Sequence, residues 1–183
     1  FLKAIKHERK KTKTEGIDFS KAAIRKCIDE GLNVSNAKVE DLIRKKIKKD
    51  VVSLISVLEH VLDPRDLIKK CRQLLKKRGK IFIEVPNMAN SLSLKGFGSL
   101  HLAHTLGFGR YSLELLGAYI GMVPVEVFDD FDIGIIFKKG RPRSIEEIKK
   151  NSLDEFKHLN PKQINRRFWL YSTAKLFGKR SKF

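Results

Sequence analysis

The chain has 183 residues, a hydrophobic fraction of 42% and a formal net charge of +18. This length and apolar content permit one globular domain, and no apolar run approaches the ~20 residues that a membrane-spanning helix requires. The charge indicates either an anionic partner or a lysine-rich surface, and the spread of Lys along many predicted helices favours the surface. The two cysteines, Cys27 and Cys71, stand alone within helical patterns, which argues against a disulfide scaffold or a zinc site and favours a reducing, cytoplasmic setting.

The first third of the chain alternates between helix and strand patterns. Residues 1–12 are typical of the end of a helix, and residues 16–18 predict a short strand that ends in a carboxylate. Ser20 is the expected N-cap of the next helix, and Gly31 is its expected stop. Two weaker patterns follow: a strand at 32–39 and a short basic helix or loop at 41–49.

The clearest strand signal is the apolar run 51–58, which is typical of a strand buried on both faces. Asp63 and Pro64 predict the start of a helix, with Pro at its first position. The sequence Lys-Arg-Gly at 77–79 is expected to end that helix, before another strand at 80–87. Strands and helices that alternate with short connections predict a parallel α/β sheet with helices on both faces.

The pattern changes after Asn87. Residues 88–110 are rich in Gly and Ser and predict a partly helical insertion that serves as an acceptor lid. A helix is expected over 111–120, with Ser112 as its N-cap. Two strands, 123–128 and 133–137, are separated by an acidic turn short enough to favour an antiparallel hairpin.

These segments resemble the class I S-adenosylmethionine-dependent methyltransferases. The resemblance is carried by Glu-Gly-Ile-Asp-Phe-Ser at 15–20, by the segment from Asp50 to Pro64, by Val-Pro-Asn at 85–87 and by the closing hairpin. It implies an α/β, Rossmann-like methyltransferase sheet that is mostly parallel, with a C-terminal antiparallel hairpin. The family also has a first strand followed by a glycine-rich loop, and residues 1–6 resemble the helix that follows this loop. We therefore expect the chain as given to be N-terminally incomplete, and inactive in that form.

The resemblance also implies residues that bind the cofactor, S-adenosylmethionine. Asp18 matches the acid that binds the ribose hydroxyls, and Phe19 matches the neighbour that packs on the adenine. Val39, Glu40 and Asp41 match the segment that reads the adenine edge, with Val39 and Glu40 as the expected contacts. The remaining matches, at the end of the fourth family strand beside the reactive methyl group, are Ser56 and Val57. From the residues alone, Asp18 could instead be a turn or helix cap.

An oxygen acceptor would benefit from a general base, and His60 and His104 are the candidates for that role. His60 could also be structural, and Glu59 beside it could be an acid that stabilises a helix N-terminus. His101 and His104 are spaced to meet on one helical face, but a third metal ligand is missing, so no metal site is predicted. The expected acceptor is an oxygen of a small molecule, a glycan or a lipid-linked compound.

The sequence predicts a methyltransferase domain at 1–140 and a basic helical extension at 141–183. The extension mixes Trp169 and other aromatics with Lys and Arg, which suits either peripheral contact with the inner face of an anionic membrane or docking on the sheet or a second subunit. Three rival functions stay open: an RNA methyltransferase, a dinucleotide-dependent oxidoreductase and a non-enzymatic, nucleotide-binding Rossmann-like protein. Nucleic acid ranks below a small-molecule acceptor because no RNA-binding signature accompanies the charge.

Overall fold

The computed structural model describes residues 1–95, 105–130, 132–142, 144–155 and 157. The chain divides into two compact units, Phe1–Lys48 and Lys49–Phe183. In the part of the chain so described, no helix is both long enough and apolar enough to span a membrane. The aromatic and basic residues predicted to form a helix after residue 160 lie outside the described residues.

The first unit contains two short parallel strands and three helices. Its elements are α1 (Leu2–Glu8), β1 (Gly16–Ile17), α2 (Lys21–Asp29), β2 (Val34–Ser35) and α3 (Val39–Arg44). The hydroxyl of Ser20 accepts the Ala23 N–H at 3.2 Å, and Gly31 ends the helix region with φ of +70°, so both predicted signals for α2 are confirmed. The strand predicted over 32–39 is limited to two residues because α3 already begins at Val39, where the Asp41 carboxylate accepts the Lys38 N–H at 2.8 Å.

The second unit contains a four-stranded sheet in the order β3-β4-β6-β5. Its strands are β3 (Lys49–Ile55), β4 (Leu75–Pro86), β5 (Met122–Asp129) and β6 (Asp132–Lys139), and its helices are α4 (Pro64–Leu74), α5 (Met88–Lys95), α6 (Arg110–Tyr119) and α7 (Ile145–Asp154). β3 and β4 are parallel, whereas β6 pairs antiparallel with both β4 and β5. The predicted α/β class and the closing antiparallel hairpin are therefore confirmed.

The junction between α4 and β4 differs from the prediction. The helix ends at Leu74, not at 77–79, because Leu75 turns to an extended conformation and is almost fully buried. Lys49 pairs with Leu75 and Val51 pairs with Lys80, so residues 76–79 bulge out of the ladder. Gly79 serves a close approach rather than a helix stop, since a Cβ there would stand 3.0 Å from the carbonyl oxygen of Lys49.

The core of the second unit lies under α4 and α6. Side chains that are at most 1% exposed come from α4, α6, β4, β5, β6 and the turn after β3: Leu58, Ile68, Cys71, Ile81, Ile83, Val85, Leu113, Met122, Ile133, Ile135 and Phe137. The prediction that 51–58 is buried on both faces is wrong for Val51, which is 58% exposed. β3 lies at the end of the described four-stranded sheet, where only β4 covers its backbone edge.

Candidate functional site

An exposed acid and an exposed ring stand together at the carboxyl end of β1. The Asp18 Oδ1 atom accepts the Ser20 N–H at 2.7 Å, which fixes the carboxylate beside the start of α2. Ser20, not Asp18, is the N-cap of that helix. Phe19 is 74% exposed, an unusual position for a large aromatic side chain. This pair offers a hydrogen-bond acceptor and an apolar face side by side.

Asn36 ties the end of β1 to the end of β2. Its Nδ2 donates to the carbonyl oxygens of Asp18 at 2.9 Å and of Phe19 at 3.2 Å. Because β1 and β2 are parallel, their carboxyl ends lie at the same edge. This edge also leads into the first turn of α3, which holds the half-buried Val39 and the exposed Glu40.

Asp41 is engaged in the same turn of α3. The Lys38 N–H lowers the pKa of the Asp41 carboxyl, and the Arg44 guanidinium adds to that effect. The Asp41 carboxylate therefore serves the helix start, and Val39 and Glu40 remain the candidates for reading a ligand edge.

In the second unit, the end of β3 holds a strained residue. Ser56 has φ of +51°, a left-handed conformation that a residue with a Cβ rarely adopts. Its N–H donates to the carbonyl oxygen of Glu84 at 3.0 Å, which keeps the strained turn on the sheet. Val57 follows and leads into a 3₁₀ turn over Leu58–His60. Strain of this kind is frequently found at ligand-binding turns.

The 3₁₀ turn places a buried carboxylate beside an imidazole. Glu59 is 2% exposed, and its Oε1 lies 3.8 Å from the Nε2 of His60, whose side chain is 42% exposed. Among the described residues, the other oxygen, Oε2, has no hydrogen-bond partner. An imidazole is the side chain most often used as a general base, so this partly exposed ring is a candidate proton acceptor.

The predicted lid is anchored to this turn. The carbonyl oxygen of Glu59 accepts the Thr105 N–H at 2.8 Å and the Thr105 hydroxyl at 3.1 Å. The N–H of Met88 donates to the carbonyl oxygen of Phe108 at 2.9 Å, so both ends of the insertion are held by the sheet edge. His101 and His104 lie outside the described residues, and the role predicted for His104 stays a prediction.

A buried polar group follows β4 and joins it to the hairpin and to α5. Asn87 is 3% exposed; its Nδ2 donates to Asp129 Oδ1 at 2.8 Å, and its Oδ1 accepts the Asn90 N–H at 3.1 Å. Sequence reasoning treated Asn87 as part of a strand ending and did not anticipate its contact with the hairpin. The signal in the sequence is the position of Asn directly after Pro86. Proline has no backbone N–H to donate to the sheet, so the strand is expected to end there and a loop to begin.

The predicted site residues form two groups. Asp18, Phe19, Val39 and Glu40 share one edge of the first unit, whereas Ser56, Val57 and His60 are successive or nearly successive in the second unit. Sequence reasoning missed the burial of Glu59, because a Glu beside a helix start is usually solvated.

Comparison of the sequence with known families and proteins gives two matches. The family described as "Methyltransferase domain" matches residues 1–117. A curated protein, ubiquinone biosynthesis O-methyltransferase of Glaesserella parasuis serovar 5, is 32% identical over 82 residues. That match covers 42% of this chain and 35% of the relative, so the matched segment spans about a third of the relative's length.

Solved structures share the fold. A SAM-dependent methyltransferase from Archaeoglobus fulgidus superposes with a TM-score of 0.63 at 19% identity, over 75% of this chain and 80% of the other. An O-methyltransferase from neocarzinostatin biosynthesis, bound to S-adenosylmethionine and 2-hydroxy-5-methyl naphthoic acid, has a TM-score of 0.60 at 16% identity, over 75% of this chain and 45% of the other. At these identities the likeness establishes the Rossmann-like fold.

Proposed function

This chain belongs to the methyltransferase domain family, and we propose that it transfers a methyl group from S-adenosylmethionine to an oxygen of a small-molecule acceptor. The observation that carries the choice of oxygen is the buried Glu59 carboxylate beside the partly exposed imidazole of His60. An oxygen acceptor must lose a proton, and this pair can accept it. Two relatives have O-methyltransferase in their names, and one of them is bound to a hydroxyl-bearing naphthoic acid.

The residues of the first unit fit the cofactor. The Asp18 carboxylate is exposed, held by the Ser20 N–H, and suited to accept two hydrogen bonds from a ribose diol. The exposed Phe19 ring offers an apolar face to the adenine, and Val39 and Glu40 lie at the same strand edge to contact the rim of the base. The contacts predicted for Ser56 and Val57 with the methionine end belong to the second unit and stay predictions. When bound, S-adenosylmethionine supplies an electrophilic methyl group.

The chain's own residues would then position the acceptor and remove its proton. His60 would accept the proton that the acceptor hydroxyl loses when the methyl group passes from the cofactor's sulfur to that oxygen and the demethylated cofactor leaves, and the Glu59 carboxylate would stabilise the resulting imidazolium. The lid, anchored by Thr105 on the carbonyl of Glu59, would hold the acceptor and exclude water. A glycan or lipid-linked acceptor fits the same proposal, provided it presents a hydroxyl.

Cofactor binding is tested on the protein extended upstream to the full length that its gene encodes, by calorimetric titration with S-adenosylmethionine, its demethylated product and NAD. We expect saturable binding of the first two, and Asp18→Ala should weaken it by about 1–3 kcal/mol through loss of charge-assisted hydrogen bonds. Asp29→Ala, which removes an exposed acid at the end of α2, is the matched control and should leave binding unchanged. Saturable NAD binding without binding of the sulfonium would refute the proposal.

The oxygen acceptor is tested with the protein in the full length that its gene encodes, using labelled cofactor and a panel of phenols, glycans and amines. We expect label on hydroxyl oxygens, and His60→Asn should slow transfer by roughly 10²–10⁴-fold while cofactor affinity is retained. Glu59→Gln should slow transfer less, because it removes the stabilising charge and keeps the base. Label found on amines with no effect of His60→Asn would contradict an oxygen acceptor.

A further inference from the structure

A polar groove lies along α4 in the second unit. It has a volume of about 450 Å³ and is lined on one side by Arg65, Lys69 and Arg72 and on the other by Tyr119 and Ile120. The three cations are spaced four and three residues apart, so they lie on one face of the helix. A stripe of three positive side chains along a groove is suited to an anion.

Two of the cations are already held in place. The Arg65 guanidinium lies 5.1 Å from the ring centroid of Tyr119, a cation–π contact that limits its motion. Arg72 is half-buried beside the turn after α6, with Nη2 3.6 Å from where a Cβ on Gly121 would stand. Preorganised guanidinium groups lose less conformational freedom when they bind an anion.

Arg72 also lacks compensation for its burial. Its Nε is enclosed, and within the described residues it has no hydrogen-bond acceptor. An enclosed N–H group without an acceptor is destabilising, and an anion in the groove would offset that cost.

Two acids at the start of α4, Asp63 and Asp66, also line the groove, but both have other partners. Asp63 Oδ1 accepts the Asp66 N–H at 2.9 Å as the N-cap of α4, and the Asp66 carboxylate forms an ion pair with Lys70. These two acids therefore stabilise the start of α4, and the three cations leave the groove with an excess of positive charge.

The topology places the Arg72 end of this groove away from the Glu59–His60 pair. α4 leads from the carboxyl end of β3 back to the start of its parallel neighbour β4, so Arg72 lies toward the opposite edge of the sheet. Tyr119 and Ile120 precede Met122, which pairs with Lys139, and the adjacent Lys138 pairs with Lys80 near the start of β4. Arg72, Tyr119 and Ile120 are thus at the amino edge of β4.

We propose that this groove binds the phosphoryl group of a phosphate-bearing ligand. Arg72 and Arg65 donate to the phosphate oxygens as planar forks, and the Lys69 ammonium adds a third positive contact. The phosphate belongs either to a free small molecule or to the headgroup of an anionic lipid.

Binding is tested by titration of the chain with inorganic pyrophosphate, followed by calorimetry and ³¹P NMR. We expect saturable binding that Arg72→Gln and Lys69→Gln each weaken roughly tenfold or more. Lys69 is exposed, so its variant separates loss of binding from loss of folding. Arg25→Gln, on the exposed face of α2, is the matched control and should bind as the parent does.

A second arm distinguishes the two sources of phosphate. The same variants are floated with phosphatidylcholine vesicles, with and without phosphatidic acid. Pyrophosphate binding without vesicle binding identifies a free ligand, and vesicle binding that Lys69→Gln and Arg72→Gln reduce identifies a headgroup. The proposal is overturned if neither probe binds, or if Arg25→Gln weakens binding as much as the groove variants do.

Discussion

Ser56 adopts a backbone conformation that is costly for a residue with a side chain. A left-handed conformation costs a residue with a Cβ on the order of 1–3 kcal/mol, and glycine would adopt it without strain. The chain nevertheless has Ser where β3 ends, next to Val57 and the Glu59–His60 pair. We infer that the Ser side chain contributes to ligand binding enough to be kept at the expense of stability.

Replacement of Ser56 by Gly should therefore stabilise the fold while it weakens the site. We expect the free energy of unfolding to rise by roughly 0.5–1 kcal/mol, measured by urea denaturation, because the strain is relieved. Ser53→Gly is the matched control: Ser53 lies in regular strand opposite Phe82, and its replacement should destabilise by about 0.5–1 kcal/mol. A destabilised Ser56→Gly variant would contradict the assignment of strain.

The structural roles of some residues could be predicted from their neighbours in the sequence, and those of others could not. The Ser20 cap and the Gly31 stop follow from the residues on either side, and both are present. The burial of Glu59 depends on the chain folding over its turn, including the contact from Thr105, so no local pattern contains it. The strain at Ser56 is likewise set by where β4 holds its backbone.

At the scale of elements, α6 shows a cap supplied from far along the chain. The sequence predicted Ser112 as the N-cap, but the helix begins at Arg110, and the Ser112 hydroxyl lies within its first turn. The Glu155 carboxylate, at the end of α7, accepts the backbone N–H groups of Arg110 and Tyr111. Glu155 thus supplies acceptors for backbone N–H groups at the start of α6, and these hydrogen bonds hold α7 against α6 in addition to apolar packing.

The contact of Glu155 with the start of α6 should make the free energy of unfolding depend on pH. Burial raises the pKa of the Glu155 carboxyl above its usual 4.5, with the nearby Asp129 charge adding to the rise and the backbone N–H donors opposing it. The contribution of the group to stability is then complete below about pH 4.5 and is lost as the pH rises through the raised pKa. Glu155→Gln should remove this dependence in urea denaturation measured between about pH 4 and 8.

Glu147→Gln, which alters an exposed acid in the first turn of α7, is the control and should keep the parent's pH dependence. An unchanged slope in Glu155→Gln would show that another group titrates in this range.

At the scale of the whole molecule, the order of the strand and helix patterns in the sequence was enough to predict most of the fold. Alternating strand and helix patterns predicted the α/β class, and the short acidic turn predicted the hairpin of β5 and β6. The division at Lys48 and Lys49 was not anticipated, because the pattern continues across it without a linker composition. The domain boundary predicted at 140 stays a prediction, and α7 beyond it packs against α6.

Two truncations test that boundary. A chain that ends at Lys157 keeps the Glu155 cap, whereas a chain that ends at Gly140 loses it together with α7. We expect the shorter form to be less stable by at least about 1 kcal/mol, the usual cost of a lost helix cap, in urea denaturation. Equal stability of the two forms would support 140 as the true limit of the domain.

The cap at α6 also constrains how this sequence can diverge. A Cβ on Gly109 would collide with the Glu155 carboxylate, so a larger residue at 109 requires that carboxylate to move off the start of α6. Positions 109 and 155, though 46 apart, are therefore expected to covary among relatives, with Gly at 109 accompanying Glu at 155.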